Sequence, residues 1–351
     1  MSATVHVALD AMGGDNAPGE IVLGAVQAAR EYGIGVYLVG NEAAIRAELA
    51  KYDSNGLDLP IVHTEEIIPM DEHNPARAVR QKKDSSMVRA IELVKDGSAL
   101  GAVSAGNSGA MMAASLFVLK RLRGVERPAL GGVLPTKDGI CMVIDMGANT
   151  DCKPEYLQQF ALMGSIYMER IQHIASPRVG LLANGEEEGK GNQQVQDAHQ
   201  LLKANASTMG VHFIGNVEGR DIFADTVDVV VCDGFVGNVV LKVSEGLSET
   251  LLGLVRAEMT RSLPNKIAGA VLRSDLRTMG KRLDYAEYGG LPLLGVNGAA
   301  IIAHGRSKAR AIKNALRVAR QTAETGVATA IADGLAKLGT DGEKQEANIG
   351  D

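Results

Sequence analysis

The sequence predicts an α/β protein built on a mostly parallel β-sheet. Along most of the 351 residues, short apolar runs rich in β-branched residues alternate with stretches of helical length. Almost every apolar run ends in a turn rich in Gly, Asn and Asp, and a helix follows that turn. A hydrophobic content of 46% supplies a sizeable core. Because no Pro- or Ser-rich linker interrupts this alternation, we expect a single α/β domain over residues 1–338.

The predicted elements follow one another in a regular order. Pro18 and Glu20 open the first helix, because proline and acidic residues favour the first turn. Strands are predicted by apolar runs bounded by turn residues, at residues 5–9, 36–39, 60–63, 100–103, 130–134, 140–144, 179–182, 211–214 and 227–231. Helices are predicted at residues 19–32, 42–51, 84–95, 107–122 and 154–173.

Residues 237–285 interrupt the alternation. They predict two long helices joined by Ser262–Asn265, an inserted hairpin that projects from the domain. The segment after it returns to the α/β pattern. Residues 339–351 are polar and predict a flexible tail.

Composition and charge exclude several classes of protein. A net charge of −6, an aromatic content of 3% and the absence of Trp argue against nucleic-acid binding. The three cysteines show neither metal-site spacing nor a disulfide framework, so we expect no metal site and a reducing, cytoplasmic compartment. The N-terminus leads directly into a strand, so no signal peptide is expected.

The polar turns that follow the strands are the strongest sign of function. In a parallel sheet, the carboxyl ends of the strands share one edge, where ligands bind. Glycine lets the backbone approach a ligand, and each following helix presents unpaired N–H groups to an anion. We therefore predict an anion site at this edge. The turns lie at residues 10–16, 104–109, 145–151, 183–191, 232–238, 295–300 and 303–310.

Standard nucleotide and metal motifs are missing from the sequence. It has no G-x-G-x-x-G, no P-loop and no H-E-x-x-H, so no nucleotide or nicotinamide cofactor is expected. One competing motif is Gly106–Ala110 (GNSGA), which is close to a nucleophile elbow centred on Ser108. Asp233 and His304 follow it in the chain order of α/β-hydrolases. A Ser-dependent hydrolase or acyltransferase is therefore an alternative, although it leaves the turn at Asp10–Asp15 without a role.

Six segments together resemble the PlsX family, the phosphate acyltransferases of bacterial phospholipid synthesis. They are ALDAMGGDNAP (8–18), QKKDSSM (81–87), SAGNSGA (104–110), DMGANTD (145–151), DGFVGN (233–238) and GVNG (295–298). The resemblance implies a Rossmann-like α/β/α sandwich, similar to phosphotransacetylases and to isocitrate and isopropylmalate dehydrogenases, usually as a homodimer. It also implies that acyl-(acyl carrier protein) and inorganic phosphate give an acyl phosphate, which passes to the membrane glycerol-3-phosphate acyltransferase that makes lysophosphatidic acid. A phosphotransacetylase that uses short acyl-CoA, or a non-catalytic membrane-associated scaffold, remains an alternative.

The chemistry assigns hypothetical roles to the turn residues. Phosphate attack on a thioester needs no covalent intermediate, because the thiolate leaves without a proton. An acyl-enzyme on Cys152 is therefore a less favoured route. The candidates for donor orientation or proton transfer are Asp10, Asp15, Asp145, Asp233 and His304. The candidates for binding phosphate or the carbonyl oxygen are Gly13, Gly14, Asn16, Ser104, Asn107, Ser108, Gly109, Asn149, Asn184, Asn238, Lys242 and Asn297.

Two basic segments predict contacts with partners. Residues 77–89 have five cationic side chains against one acidic, and they include Arg77, Arg80, Lys82 and Lys83. Such a surface suits the docking of an acidic carrier protein. The hairpin tip is both basic and apolar, which suits peripheral membrane contact, although packing in a homodimer explains it equally well. The tip residues are Leu263, Lys266, Ile267, Val271, Leu272 and Arg273.

Overall fold

The computed structural model describes residues 5–283 and 287–348, with side chains described for residues 5–280 and 287–338. The strands are β1 (His6–Asp10), β2 (Gly35–Gly40), β3 (Ile61–His63), β4 (Gly101–Ser104), β5 (Ala129–Pro135), β6 (Ile140–Ile144), β7 (Arg178–Leu182), β8 (His212–Val217), β9 (Val229–Val231), β10 (Leu291–Leu294) and β11 (Ala299–Ile302). They form one sheet of order β3-β2-β1-β4-β11-β10-β5-β6-β9-β7-β8.

Helices cover both faces of this sheet. They are α1 (Gly19–Tyr32), α2 (Glu42–Leu49), α3 (Pro75–Gln81), α4 (Ser86–Lys95), α5 (Ser108–Val118), α6 (Pro154–Gln172), α7 (Gln193–Met209), α8 (Gly234–Thr260), α9 (Leu263–Val271), α10 (Arg273–Leu283), α11 (Ala309–Glu324) and α12 (Val327–Asn348). One face packs against α1, α6, α7, α11 and α12, and the other against α3, α4, α5 and the start of α8. The predicted α/β/α sandwich is confirmed.

The sheet consists of two parallel halves that run in opposite directions. β10 is antiparallel to both β11 and β5, and β5 is also antiparallel to β6. Three antiparallel steps therefore separate β11 from β6. The carboxyl ends of β1, β4 and β11 lie at one edge, and those of β6, β7 and β9 lie at the other. The expectation that all the polar turns share one edge is not met. Only four residues join β5 to β6, too few for a parallel crossover, so β6 runs opposite to β5.

The hairpin differs from the prediction in its second arm. α8 begins at Gly234, and the helix is interrupted at Arg261–Ser262, within one or two residues of the predicted joint. Ser262 caps α9 by accepting a hydrogen bond from the backbone N–H of Asn265 at 3.3 Å. A second break at Leu272 separates α9 from α10. From Asn238 to Gly280 no residue is fully buried, so the hairpin projects into solvent. The last two residues of the predicted hairpin, 284 and 285, lie outside the described residues.

The C-terminal helix is longer than the sequence suggested. α12 continues to Asn348, past residue 339, where the polar tail was expected to begin. The end of this segment is rich in Ala, Glu, Lys and Gln, which have high helix propensity. The final three residues of the predicted tail lie outside the described residues.

Candidate active site

The turn after β1 is built on a buried carboxylate. Asp10 is 1% exposed and accepts a hydrogen bond from the Ser104 hydroxyl at 2.6 Å, which links the ends of β1 and β4. Ser104 Oγ in turn accepts the backbone N–H of Gly106 at 3.0 Å. Burial raises the pKa of Asp10 above its ordinary value, against the opposing effect of these hydrogen bonds. In this position the Asp10 carboxylate ties the ends of β1 and β4 together through Ser104.

Two glycines allow the first turn to pass over this carboxylate. A Cβ at Gly13 would lie 2.4 Å from Asp10 Oδ2 and 2.9 Å from the backbone nitrogen of Gly106, so no side chain fits there. Gly14 has φ +104°, a conformation that other residues rarely adopt. Asp15 then donates its backbone N–H to the Gly305 carbonyl at 2.9 Å, and Asn16 Nδ2 donates to the Arg306 carbonyl at 3.2 Å. These contacts bring the β1 and β11 turns together.

The turn after β4 leads into the N-terminus of α5. Asn107 caps the helix through Oδ1, which accepts the Ala110 N–H at 3.0 Å, while its Nδ2 donates to the Met70 carbonyl at 3.0 Å. The side-chain amide of Asn107 is therefore already hydrogen-bonded to the protein backbone. The N–H groups of Ser108 and Gly109 begin the helix and have no intrahelical acceptor. With the exposed Ser108 hydroxyl, they form a group of donors suited to an anion.

Asp145 organises the loop that follows β6, at the other edge of the sheet from the β1 and β4 turns. Its two carboxylate oxygens accept the backbone N–H groups of Leu130, Gly147, Ala148 and Asn149, and also Asn149 Nδ2, at 2.7–3.1 Å. The residue is fully buried, and burial raises its pKa, whereas the hydrogen bonds lower it. Because every partner is a donor, Asp145 positions the 145–149 loop.

Helix α8 begins against this loop. Asp233 caps it by accepting the Val236 N–H at 2.8 Å. A Cβ at Gly237 would lie only 1.8 Å from the Asp145 carbonyl oxygen, so glycine allows the helix to contact the loop backbone directly. The next residue of α8, Asn238, has an exposed side chain beside Gly147.

His304 follows β11 and faces α8. Its Nδ1 accepts the backbone N–H of Arg306 at 3.1 Å, so the neutral ring has its proton on Nε2. Burial lowers the pKa of His304 below its ordinary value near 6.5, and Lys242 and Arg306 add to this effect, while Glu245 and Asp15 oppose it. At neutral pH the ring is therefore an uncharged donor.

A cleft of about 300 Å³ lies over the face of β5 and β10, between the N-terminus of α5 and helix α8. We call it the central cleft. Its polar lining comes from both halves of the sheet: Ser108 and His304 from one, Asn238 and Lys242 from the other. Lys242 Nζ lies 3.0 Å from Glu245 Oε2. The walls are apolar, formed by Leu130, Val133, Leu134, Met146, Leu241, Leu291 and Ile302.

Several predicted site residues do not line the central cleft. Asn149 Nδ2 donates to the Pro128 carbonyl, and Asn297 Nδ2 to the Leu119 and Arg121 carbonyls. Asn184 Oδ1 accepts the Gly191 N–H at 2.7 Å within its own loop. Asparagine in a turn fits such backbone contacts as readily as a ligand. Conversely, sequence reasoning missed Glu245, which lies in the middle of a helix, away from any turn.

The remaining alternatives for a nucleophile are not favoured by the geometry. Burial, with a contribution from the nearby Asp145, raises the pKa of the Cys152 thiol to about 12, so it is protonated at neutral pH. Asp233 accepts its own helix N–H, as a cap does, rather than orienting His304. Among the residues with described side chains, no group of acidic, His or Cys residues could hold a metal ion.

Comparisons with known proteins identify the family. The family model described as "Fatty acid synthesis protein" matches residues 5–330. The phosphate acyltransferase of Dictyoglomus turgidum is 52% identical over 335 residues, which is 95% of this chain and 98% of that protein. The chain belongs to this family, the PlsX family. PlsX proteins are acyltransferases, so this chain is an enzyme of that class.

Solved structures support the fold alone. A phosphotransacetylase from Streptococcus pyogenes matches with a TM-score of 0.64 at 16% identity, covering 92% of this chain and 95% of that one. A 4-hydroxythreonine-4-phosphate dehydrogenase from Salmonella typhimurium matches with a TM-score of 0.51 at 15% identity, covering 91% and 99%. The predicted likeness to phosphotransacetylase and dehydrogenase folds is therefore confirmed.

Proposed function

We propose that the central cleft transfers the acyl group of acyl-(acyl carrier protein) to inorganic phosphate. A phosphate oxygen attacks the thioester carbonyl, a C–O bond forms, the C–S bond breaks, and the carrier-protein thiolate leaves. The products are an acyl phosphate and free carrier protein. The observation that supports this proposal is the position of Ser108 and the α5 N-terminus, which share one apolar-walled cavity with His304, Asn238 and Lys242.

Each polar group has a role in this reaction. The N–H groups of Ser108 and Gly109 and the Lys242 ammonium would hold the phosphate. The Nε2–H of His304 and the Asn238 amide would donate to the developing oxyanion, where one good donor contributes about 3–4 kcal/mol. Binding both reactants in one cavity contributes the larger share of the reduction in the activation barrier, since positioning is worth about 7–11 kcal/mol. The phosphate dianion needs no further activation.

One assay tests this function. Palmitoyl-(acyl carrier protein) is incubated with the enzyme with and without phosphate, and hydroxylamine traps the acyl phosphate. We expect thioester loss that depends on phosphate, and a hydroxamate in equal amount. Acetyl-CoA as the donor tests the phosphotransacetylase alternative, and labelling of Ser108 by a fluorophosphonate tests the Ser-hydrolase alternative. Thioester loss that is independent of phosphate would contradict the proposal.

Replacing Ser108 with Asp should separate phosphate binding from stability. An acidic residue at the start of α5 interacts favourably with the helix dipole, so the fold is retained. The same carboxylate repels phosphate, and we expect the KM for phosphate to rise about tenfold or more, with a small change in the KM for the acyl donor. Ser108→Ala is the matched control, and its activity should stay within a few-fold of wild type. A complete loss in Ser108→Ala would instead indicate a nucleophile.

We also propose that carrier protein docks beside the cleft on α3. Pro75 at the start of α3 packs against Gly109 of α5, so the basic segment borders the mouth of the cleft. Arg77 and Lys83 are exposed, whereas Arg80 stacks over Phe117 at 4.7 Å and Lys82 donates to the Ile67 carbonyl at 2.7 Å. An acidic partner would be attracted to this surface, and the effect should weaken with salt.

The outer face of α8 suits a homodimer, which we propose for this chain. Apolar residues recur every three or four positions along it, and Phe235, Val243 and Leu254 are 61–63% exposed. The other members are Val239, Leu247 and Leu251. An exposed apolar stripe along a 27-residue helix marks an interface more often than a free surface.

A double substitution tests the homodimer. Val243→Asp combined with Leu247→Asp places two charges in the centre of the stripe, so we expect sedimentation to show a monomer where wild type is a dimer. Thr278→Asp, on exposed α10, is the control and should leave the mass unchanged. A wild-type monomer at micromolar concentration would contradict the assignment.

The hairpin tip is proposed as a peripheral membrane contact. Leu263, Ile267 and Val271 are 62–79% exposed on α9, with Lys266 and Arg273 beside them and Leu272 at the following break. An interfacial helix combines such an apolar face with cations. In the described part of the chain, no helix is both long and apolar enough to cross a bilayer. Contact at the tip would deliver acyl phosphate near a membrane acyltransferase that acts on glycerol 3-phosphate.

A further inference from the structure

A second apolar cavity continues from the central cleft along α8. It has a volume of about 230 Å³ and shares Val133, Leu134, Leu241 and Glu245 with the cleft, so the two are contiguous. Beyond the shared residues it follows α8 to Leu252 and ends near Phe223 and Gly280. We call this second cavity the α8 groove.

The lining of the α8 groove suits an uncharged chain. Strand β5 contributes an apolar wall through Val133, Leu134 and Pro135, and α8 contributes Leu241 and Leu252. Two carboxylates also line it, but each has a cationic partner. Glu245 lies 3.0 Å from Lys242 Nζ, and Glu249 lies 3.9 Å from an Arg306 guanidinium nitrogen. Unlike the central cleft, the α8 groove has no Lys or Arg among the described residues that line it, so it suits a hydrocarbon better than an anion.

The length of the groove matches a long acyl chain. From Leu241 to Leu252, α8 rises by about 16 Å at 1.5 Å per residue. A carbon–carbon bond of about 1.5 Å advances a zigzag chain by less than its own length, so more than about ten carbons are needed to span this distance. A short acyl group would occupy only the central cleft.

We propose that the α8 groove binds the acyl chain of the thioester and that its far end, at Gly280, sets the longest chain accepted. This inference rests on the proposed function, and it adds the path of the chain and the position that limits its length. Each methylene that enters the groove should raise kcat/KM about fourfold, since burial of one CH₂ contributes that factor. The gain should stop at the chain length that reaches Gly280.

Gly280→Phe is the variant that tests the length limit. Among the residues with described side chains, none places an atom within 4 Å of a Cβ built at Gly280, and Gly280 lines the groove from within a helix, so a larger side chain has room at the groove's end. We expect kcat/KM for long chains to fall about fourfold for each carbon displaced, while chains of six to eight carbons are unaffected. The measurement is the rate of phosphate-dependent thioester loss across a series of acyl-(acyl carrier protein) chain lengths.

Thr278→Phe is the matched control. It adds the same side chain to the same helix, but Thr278 is two residues from Gly280 and so on the opposite face. Its chain-length profile should match that of wild type. A Gly280→Phe profile that equals wild type, or that falls equally for every length, would overturn the groove assignment even if phosphate-dependent activity is intact.

A binding measurement separates this inference from the proposed function. The chain contains no Trp, so Phe223→Trp would introduce a single fluorophore at the far end of the groove. In the absence of phosphate, an acyl-(acyl carrier protein) brominated near the methyl end should quench its fluorescence more than one brominated near the thioester. Quenching without any phosphorolysis would reject the function and retain the groove. Equal quenching by the two probes would reject the groove.

Discussion

Replacing His304 with Ala should lower kcat/KM by about 10²–10³, the largest effect on activity that we expect from a single side chain. The reason is the loss of a donor that is already fixed in place. The Arg306 backbone N–H occupies Nδ1 at 3.1 Å, which directs the Nε2 proton away from that turn. The measurement is phosphate-dependent thioester loss at neutral pH.

His304→Gln distinguishes a donor from a base. A glutamine amide can donate a hydrogen bond but cannot accept a proton, so it should recover about tenfold or more of the activity lost in His304→Ala. If His304 were the general base, Gln and Ala would be equally inactive. The KM for the acyl donor should change little in both variants, because the contact strengthens mainly as charge develops on the oxygen.

The pH profile supplies a second readout for the same side chain. Burial lowers the pKa of His304 from its ordinary value near 6.5, so the ring stays neutral down to a pH below that value. When it protonates, Nδ1 gains a proton and can no longer accept the Arg306 N–H, so the turn loses its anchor. With rates expressed per concentration of phosphate dianion, which removes the titration of the nucleophile itself, we expect kcat/KM to fall below pH 6.5 in wild type and to lack this acid limb in His304→Gln. A limb retained in the Gln variant would assign it to another group.

The fold was largely predictable because its signals are local. The strands and helices of the two halves follow from hydrophobic period and turn residues, and the hairpin break at Ser262 follows from a capping residue before Pro264. Strands β10 and β11 were not predicted. β10 is four residues long, contains Pro292 and has no β-branched residue, and β11 is also short, with two alanines before its two isoleucines, so both give weak strand signals. These two strands do not reverse the sheet, because β11 is parallel to β4 and β10 is antiparallel to both of its neighbours. The reversal comes from the antiparallel pair of β5 and β6, and the single-edge expectation failed there.

The site was only partly predictable, because the direction of a polar side chain depends on its tertiary partners. Ser108, Asn238, Lys242 and His304 meet in the central cleft as functional candidates. Asn107 follows the same Gly/Asn turn pattern, yet its amide binds backbone carbonyls. Sequence spacing identifies turns that could face a ligand. It does not show which of these donors already form hydrogen bonds within the protein, since that depends on carbonyl groups distant in the chain.

Asp145→Ala should cause the largest loss of stability. Five N–H donors converge on this fully buried carboxylate, and its removal leaves them without their common acceptor. We expect the free energy of unfolding to fall by about 3–5 kcal/mol, measured by denaturant unfolding. Asp145→Asn should cost less, because one amide oxygen still accepts while the new NH₂ group faces the Asn149 donors.

Asp233→Asn is the matched control, and it also tests what the two carboxylates do. Asn caps a helix about as well as Asp, so stability should change by less than about 0.5 kcal/mol.

If Asp145→Ala unfolded at the same denaturant concentration as wild type but lost activity, Asp145 would act on the substrate. The burial of Asp145 and its exclusive bonding to N–H groups argue for the structural outcome. The loss should extend to α8, because Gly237 of this helix packs directly against the Asp145 carbonyl. That backbone can shift once the carboxylate no longer anchors the 145–149 loop. A displaced α8 would also move Asn238 and Lys242, so the Asp145 variants should lose phosphate affinity in proportion to their loss of stability.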